Sequence, residues 1–160
     1  MNTQLQALQE RAVSDDALLT NRSYLNSEIQ KRIVGQKAIA EFATNALSMI
    51  ANFKRDRAAL QVGEEFKQAT LKSVDNMSPQ FETMFAAWVK SQETERMLLQ
   101  FLADNFQDFQ LKNGRILFGS ALNRQEYDAL AKDVQEAAAA VEDFQKRGLA
   151  AMEAAKRQFQ

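Results

Sequence analysis

The chain predicts an all-α fold, an elongated antiparallel helical bundle of three to four long helices, and three observations lead there. Among 160 residues there are one proline and five glycines, against abundant Ala, Gln, Glu, Leu and Lys, the residues that lose least on entering a helix. Apolar residues recur three or four apart over long stretches, as one face of an α-helix requires. One segment departs from this pattern: "DFQLKNGRILFGS", Asp108 to Ser120, alternates apolar and polar residues on either side of Asn113-Gly114. Alternation around a dipeptide that accepts two positive φ angles predicts a small β-hairpin near residues 109–118. The length fits a single helical-bundle domain over residues 1–160.

Taken in order, Leu5, Leu8 and Val13 mark a short lead-in, and Ser14 followed by Asp15 and Asp16 reads as an N-cap with an acidic first turn. From Leu18 onward, Leu25, Ile29, Ile33, Ile39, Phe42, Ala46, Ile50 and Phe53 define the seam of a first long helix. Gly35 interrupts it at a cost of about 1 kcal/mol, which marks a bend or a close packing point rather than a break. After Leu60 the pattern weakens, and Val62, Phe66, Ala69 and Val74 predict a second helical piece. In "NMSPQF", Ser78 is suited to capping and Pro79 to the first helical position, where its missing N–H costs nothing, so a new helix is expected to open there. It carries an aromatic-rich stripe of Phe81, Met84, Phe85, Trp88, Leu98, Phe101, Leu102, Phe106 and Phe109. The terminal helix is expected to start at Asn123, with Glu126 completing a capping box. Its residues Tyr127, Leu130, Val134, Ala137, Val141, Phe144 and Gly148 form a heptad-like, coiled-coil seam.

Composition removes several classes of chemistry. With 20 basic and 21 acidic residues and a net charge of −1, no global field draws the chain to nucleic acid, which is not expected as a partner. There is no cysteine and no histidine. Disulfides, thiolate or imidazole metal sites, serine-histidine catalysis and thiol catalysis all drop out. No catalytic residue, metal site or cofactor is expected, and any enzyme would have to work through Asp, Glu, Lys, Tyr or Ser. No apolar run reaches the length of about 18 residues that a transmembrane helix needs. The opening "MNTQLQALQERAVSDD" lacks an apolar signal core, so the expected compartment is the cytoplasm, or the periplasm if a leader or lipid anchor has been removed.

Four groups of residues are candidates for function. Leu111, Asn113, Gly114, Arg115, Ile116 and Phe118 form the hairpin, which either plugs one end of the bundle, with Arg115 facing solvent, or projects to meet a partner by edge pairing. Trp88, Gln92 and Arg96 outline a candidate ligand pocket, against the plainer expectation that an aromatic stripe is core. Lys54, Arg55 and Arg57 are a basic cluster, but Asp56 lies inside it and a solvated helix face explains it better. Among the carboxylates Glu64, Glu65, Glu82, Glu93, Glu95, Asp104 and Asp108, only Asp104 and Asp108 stand four apart on one face, too few oxygens for a calcium site.

The segment "FQLKNGRILFGSALNRQEYDAL" resembles a stretch in a family of enterobacterial lipoproteins of unknown function, at Asn113, Gly114, Ile116, Phe118, Glu126 and Tyr127. The resemblance implies a strand, a turn and a second strand leading into a terminal helix. That family is anchored through an acylated cysteine after a leader peptide; this chain has neither, as if the anchor had been removed. No catalytic or binding residue is implied. The expected role is therefore a non-enzymatic helical interaction or scaffolding module with a protein partner, which also admits a homo-oligomer, and which would be the soluble part of a bacterial envelope protein. Two alternatives stand beside it. One is a small-ligand sensor four-helix bundle, similar to the extracytoplasmic part of chemoreceptors, and the other a surface-active coat protein in the manner of granule-associated phasins.

Overall fold

The computed structural model describes residues 21–59, 63–112 and 115–158. Three long helices and one hairpin make up the fold in these residues: α1 Arg22–Ala59, α2 Glu64–Asp104, β1 Phe109–Lys112, β2 Arg115–Phe118 and α3 Ala121–Gln158. At 1.5 Å per residue each helix runs for roughly 60 Å. The expected Ser14 cap, the Leu18 start and the Asn113-Gly114 turn all lie outside the described residues.

The antiparallel order of α1 and α2 is written in their contacts, where residue numbers fall along one helix as they rise along the other. Arg32 pairs with Glu95 and Lys54 with Asp75, while Phe42 meets Phe85 edge to face at 5.7 Å. α2 is the central element and packs along both α1 and α3. Gly35 is a close packing point: a Cβ there would lie 2.9 Å from Gln92 Oε1.

Two helix boundaries differ from those the local signals predict. α2 does not open at Ser78-Pro79 but runs unbroken through Pro79. Side chains around the proline take up local carbonyls: Ser78 Oγ donates to Val74 O at 3.0 Å and Thr83 Oγ1 to Pro79 O at 2.8 Å. Pro79 lies on an exposed face, where water is available to the carbonyl its missing N–H would have bonded. The second helical piece and the aromatic helix are therefore one element. The terminal helix, in turn, is capped by Ser120 rather than Asn123: Ser120 Oγ accepts from the N–H groups of Leu122 at 3.2 Å and Asn123 at 3.4 Å. Asn123 instead donates from Nδ2 to Asn105 Oδ1 at 3.1 Å, and Asn105 Nδ2 donates to Phe101 O. This relay ties the end of α2 to the start of α3. At the other end of the chain, Asn21 Oδ1 caps α1 by accepting from Ser23 and Tyr24 N–H.

Between α2 and α3, β1 and β2 pair antiparallel, with Phe109 opposite Phe118, Leu111 opposite Ile116 and Lys112 opposite Arg115. Phe109 thus belongs to β1 and not to the preceding helix, which ends at Asp104. The apolar alternation decides which face is inward. Phe109 is buried and Leu111, Ile116 and Phe118 are half-buried, whereas Gln110, Lys112, Arg115 and Leu117 are exposed. The inward residues pack on a core of Leu25, Ile29, Leu98, Leu99, Leu102 and Ala103. Phe118 also makes ring contacts with Phe101, Phe109 and Tyr127 at centroid distances of 5.8, 5.8 and 5.3 Å. A two-stranded hairpin is marginal alone, and this packing is what holds it.

Candidate functional site

Burial is distributed unevenly along the bundle, and that distribution locates the candidate surface. Among the described residues, every buried side chain of α1 lies between Leu25 and Arg32, and every one of α2 between Phe85 and Ala103. α3 contributes only Ala137 and Val141. The molecule is tightly packed at the hairpin end and loosens toward the α1–α2 connection. There, large apolar side chains stand in solvent: Phe42 at 59%, Met49 at 72% and Phe53 at 45% exposure on α1, and Phe66 and Met77 on α2. The spacing Phe42, Met49, Phe53 is seven then four residues, and Phe66 to Met77 is eleven, so each set forms one stripe along its helix. Spacing places Phe42 and Phe53 in the α1 seam. In the folded chain Ile39, Ala43, Leu47, Ile50 and the stem of Lys54 fill the seam, and the two phenylalanines lie on its flank.

The hairpin residues form a firm end cap. Arg115 is exposed beside the turn, and Leu111, Ile116 and Phe118 rest on the core. Two shallow grooves flank this end. One, of about 570 Å³, runs between Gln110 and Leu117 on the outer hairpin face and Ser120 and Asn123 at the start of α3. The other, of about 350 Å³, lies between Arg96, Gln100 and Asp104 of α2 and Glu126 and Leu130 of α3.

Among the described residues, Trp88, Gln92 and Arg96 have different neighbours. Each step of four residues advances about 40° around a helix, so the outer two diverge by roughly 80°. Trp88 is half-buried against Phe85 at 6.0 Å, its Nε1 enclosed without a hydrogen-bond partner among the described residues. Gln92 faces Gly35 of α1, and Arg96 reaches the groove beside α3. The basic cluster is similarly dispersed: Lys54 pairs with Asp75 at 2.6 Å, Arg55 lies 3.8 Å from Asp56, and Arg57 covers the Phe66 ring at 4.5 Å. Asp104 accepts from Gln100, and among the described residues no three acidic side chains converge on a cation-sized space.

A buried polar layer escapes the seam as read from apolar spacing alone. Glu28 and Arg32 of α1 and Ser91, Thr94 and Glu95 of α2 are all buried, and Arg32 meets Glu95 across the interface. Arg32 Nε stands 2.5 Å from Glu95 Oε2, off the N–H axis, so the contact is an ion pair rather than an aligned hydrogen bond. Arg32 Nη1 lies 4.0 Å from Glu28 Oε2. Ser91 Oγ donates to Glu95 Oε1 at 3.3 Å. At the rim, Lys31 donates to Glu28 at 2.5 Å, and that hydrogen bond, followed by the charge of Glu28, holds the Lys31 ammonium pKa above its ordinary value. Spacing leaves this layer open: after Leu25 and Ile29, a step of three to Arg32 and a step of four to Ile33 both continue the face, and the structure buries Arg32. Ile33 is 42% exposed.

No family model, no curated protein and no solved structure matches the chain. What the geometry offers chemically is therefore read from the molecule alone. It has one closed end, a buried ionic layer, and apolar stripes open to solvent. No helix of the described residues is long and apolar enough to cross a membrane.

Proposed function

We propose that this chain is a non-enzymatic helical interaction or scaffolding module that meets a protein partner through the loosely packed half of α1 and α2. The observation that carries the reading is the exposure of Met49, Phe53, Phe66 and Met77 where no described residue of α1 or α2 is buried, with exposed Phe42 at the edge of this region against buried Phe85. Contiguous exposed apolar stripes mark interaction surfaces, and amphipathic helices recognise partners through i, i+4, i+7 anchors. The hairpin end, by contrast, is closed by its own aromatic contacts and supplies a rigid base.

The test is a triple substitution, Met49→Lys, Phe53→Lys and Phe66→Lys. An exposed change away from specific contacts moves stability by about 0.5 kcal/mol, and Phe66 in addition gives up its contact with Arg57, so helical circular dichroism is expected to persist. Proximity cross-linking in the source cell is expected to map to α1 and α2 in the parent chain and to vanish in the variant. Unchanged cross-linking would exclude this surface.

The same stripes also favour the coat-protein reading, since wide apolar helix faces adsorb to lipid or polymer. Flotation with neutral vesicles separates the two: co-migration that the triple variant loses favours the coat, and no co-migration favours the protein partner. The hairpin resemblance extends the preferred reading to the soluble part of a bacterial envelope protein, which intact-mass measurement of the native N-terminus would test by looking for an acylated cysteine.

A further inference from the structure

We infer that the buried Glu28, Arg32 and Glu95 layer is a register lock: it selects one axial alignment of α1 against α2 from alignments that the apolar seam alone would tolerate. The two helices are long and antiparallel, and their facing surfaces repeat in steps of three and four, so displacement by about seven residues, two helical turns, brings similar faces together again. Outside the packed end the seam is only half-buried, which leaves a slipped arrangement little shape mismatch to overcome. The polar layer removes that freedom. In the observed register Arg32 meets Glu95 at 2.5 Å and approaches Glu28 at 4.0 Å, so each buried charge has an opposite neighbour.

In either slipped register Glu95 loses its counter-charge, and Arg32 keeps only the 4.0 Å approach of Glu28 on its own helix. Displacement one way sets Arg32 beside Leu102 and Glu95 beside Ile39. Displacement the other way sets Arg32 beside Trp88 and Glu95 beside Leu25. A charge buried against apolar groups without a partner is among the least tolerated arrangements in a protein. A buried polar group that fixes helix register at some cost in stability is the best attested use of such layers.

The chain has no cysteine, so introduced pairs report register without background. Lys54 and Asp75, whose side chains meet at 2.6 Å, mark the observed alignment. Lys54 with Gln68 and Lys54 with Glu82 mark the two slipped ones, and both partners are exposed. The thiol cross-linker must be shorter than the roughly 10 Å by which seven residues advance a helix. In the parent chain, Lys54→Cys with Asp75→Cys is expected to cross-link and the other two pairs are not. Adding Arg32→Met and Glu95→Met removes one charge of each sign and leaves Glu28 with Lys31. In that background at least one slipped pair is expected to cross-link as well, while helical circular dichroism is retained. Cross-linking confined to the Lys54 and Asp75 positions in both backgrounds would overturn the inference. Loss of the helical signal would overturn it too, since the layer would then hold the fold together rather than choose its alignment.

Discussion

Tyr127 shows what burial does to one side chain. It sits half-buried against Phe118 at the hairpin end, and loss of water around the phenol, with a smaller contribution from the Asp128 carboxylate, raises its pKa above the ordinary tyrosine value. The folded chain thus holds this proton more tightly than the unfolded chain does. Its contribution to stability is fully present below about pH 10 and is lost as pH rises through the folded value. Alkaline unfolding followed by circular dichroism is expected to show stability falling above about pH 10, and less steeply in Tyr127→Phe. Equal slopes in the two chains would rule this out. Spacing makes Tyr127 legible as a core residue. By contrast, Arg32 and Ile33 are adjacent and equally consistent with the seam by eye, yet one is buried and the other exposed. The difference lies in Glu95, 63 positions away in the chain, which no local pattern exposes.

At the scale of the element, Pro79 is the clearest case of local preference yielding to context. Ser-Pro is a sound helix-opening signal, but the residues before it already form a helix whose Asp75 pairs with Lys54 of α1 at 2.6 Å and whose Leu71 and Val74 are half-buried. Tertiary contacts on both sides carry the helix across the gap. A proline inside a helix is about 3 kcal/mol less favourable than alanine, and part of that is returned because proline also restricts the unfolded chain. Pro79→Ala is therefore expected to stabilise the protein by roughly 2 kcal/mol, read as a higher urea midpoint with unchanged slope. Were Pro79 the first residue of a helix, the change would be neutral or destabilising. The pairing of the hairpin strands and their inward face were legible from the alternation, because strand pairing across a short turn is decided within the segment itself, whereas Phe109 also fits the aromatic stripe of the preceding helix and the structure gives it to β1. The start of α3 was legible to within three residues. Ser120 and Asn123 are both good caps, and the choice fell to Ser120 because Asn123 is drawn to Asn105.

Over the whole molecule the governing feature is the gradient of packing from the hairpin end to the α1–α2 connection. Leu25, Leu98, Leu99 and Leu102 are the largest fully buried side chains, and all lie at one end. Local opening follows buried contact, so backbone amides of residues 25–32 and 94–103 are expected to exchange about 100-fold more slowly than those of 42–57 and 66–77. Hydrogen exchange read by mass spectrometry would show this directly, and uniform protection along α1 would contradict it. The gradient also gives the proposed interaction surface its physical basis. A partner that covers the apolar stripes would add burial where the chain supplies least of its own.

By itself the sequence determined that the described chain is helical almost throughout, that one hairpin sits between two long helices, and that no histidine or cysteine chemistry is present. Each of these follows from residue type and spacing over a few positions, the range over which backbone preference and hydrophobic period act. Only the tertiary structure decided which of two neighbouring residues faces inward, that α2 continues through Pro79, and that burial concentrates at one end. Those outcomes depend on what the neighbouring helix presents at the same level. A face shifted by one residue differs little in local energy, and the side chain it meets across the interface settles the choice.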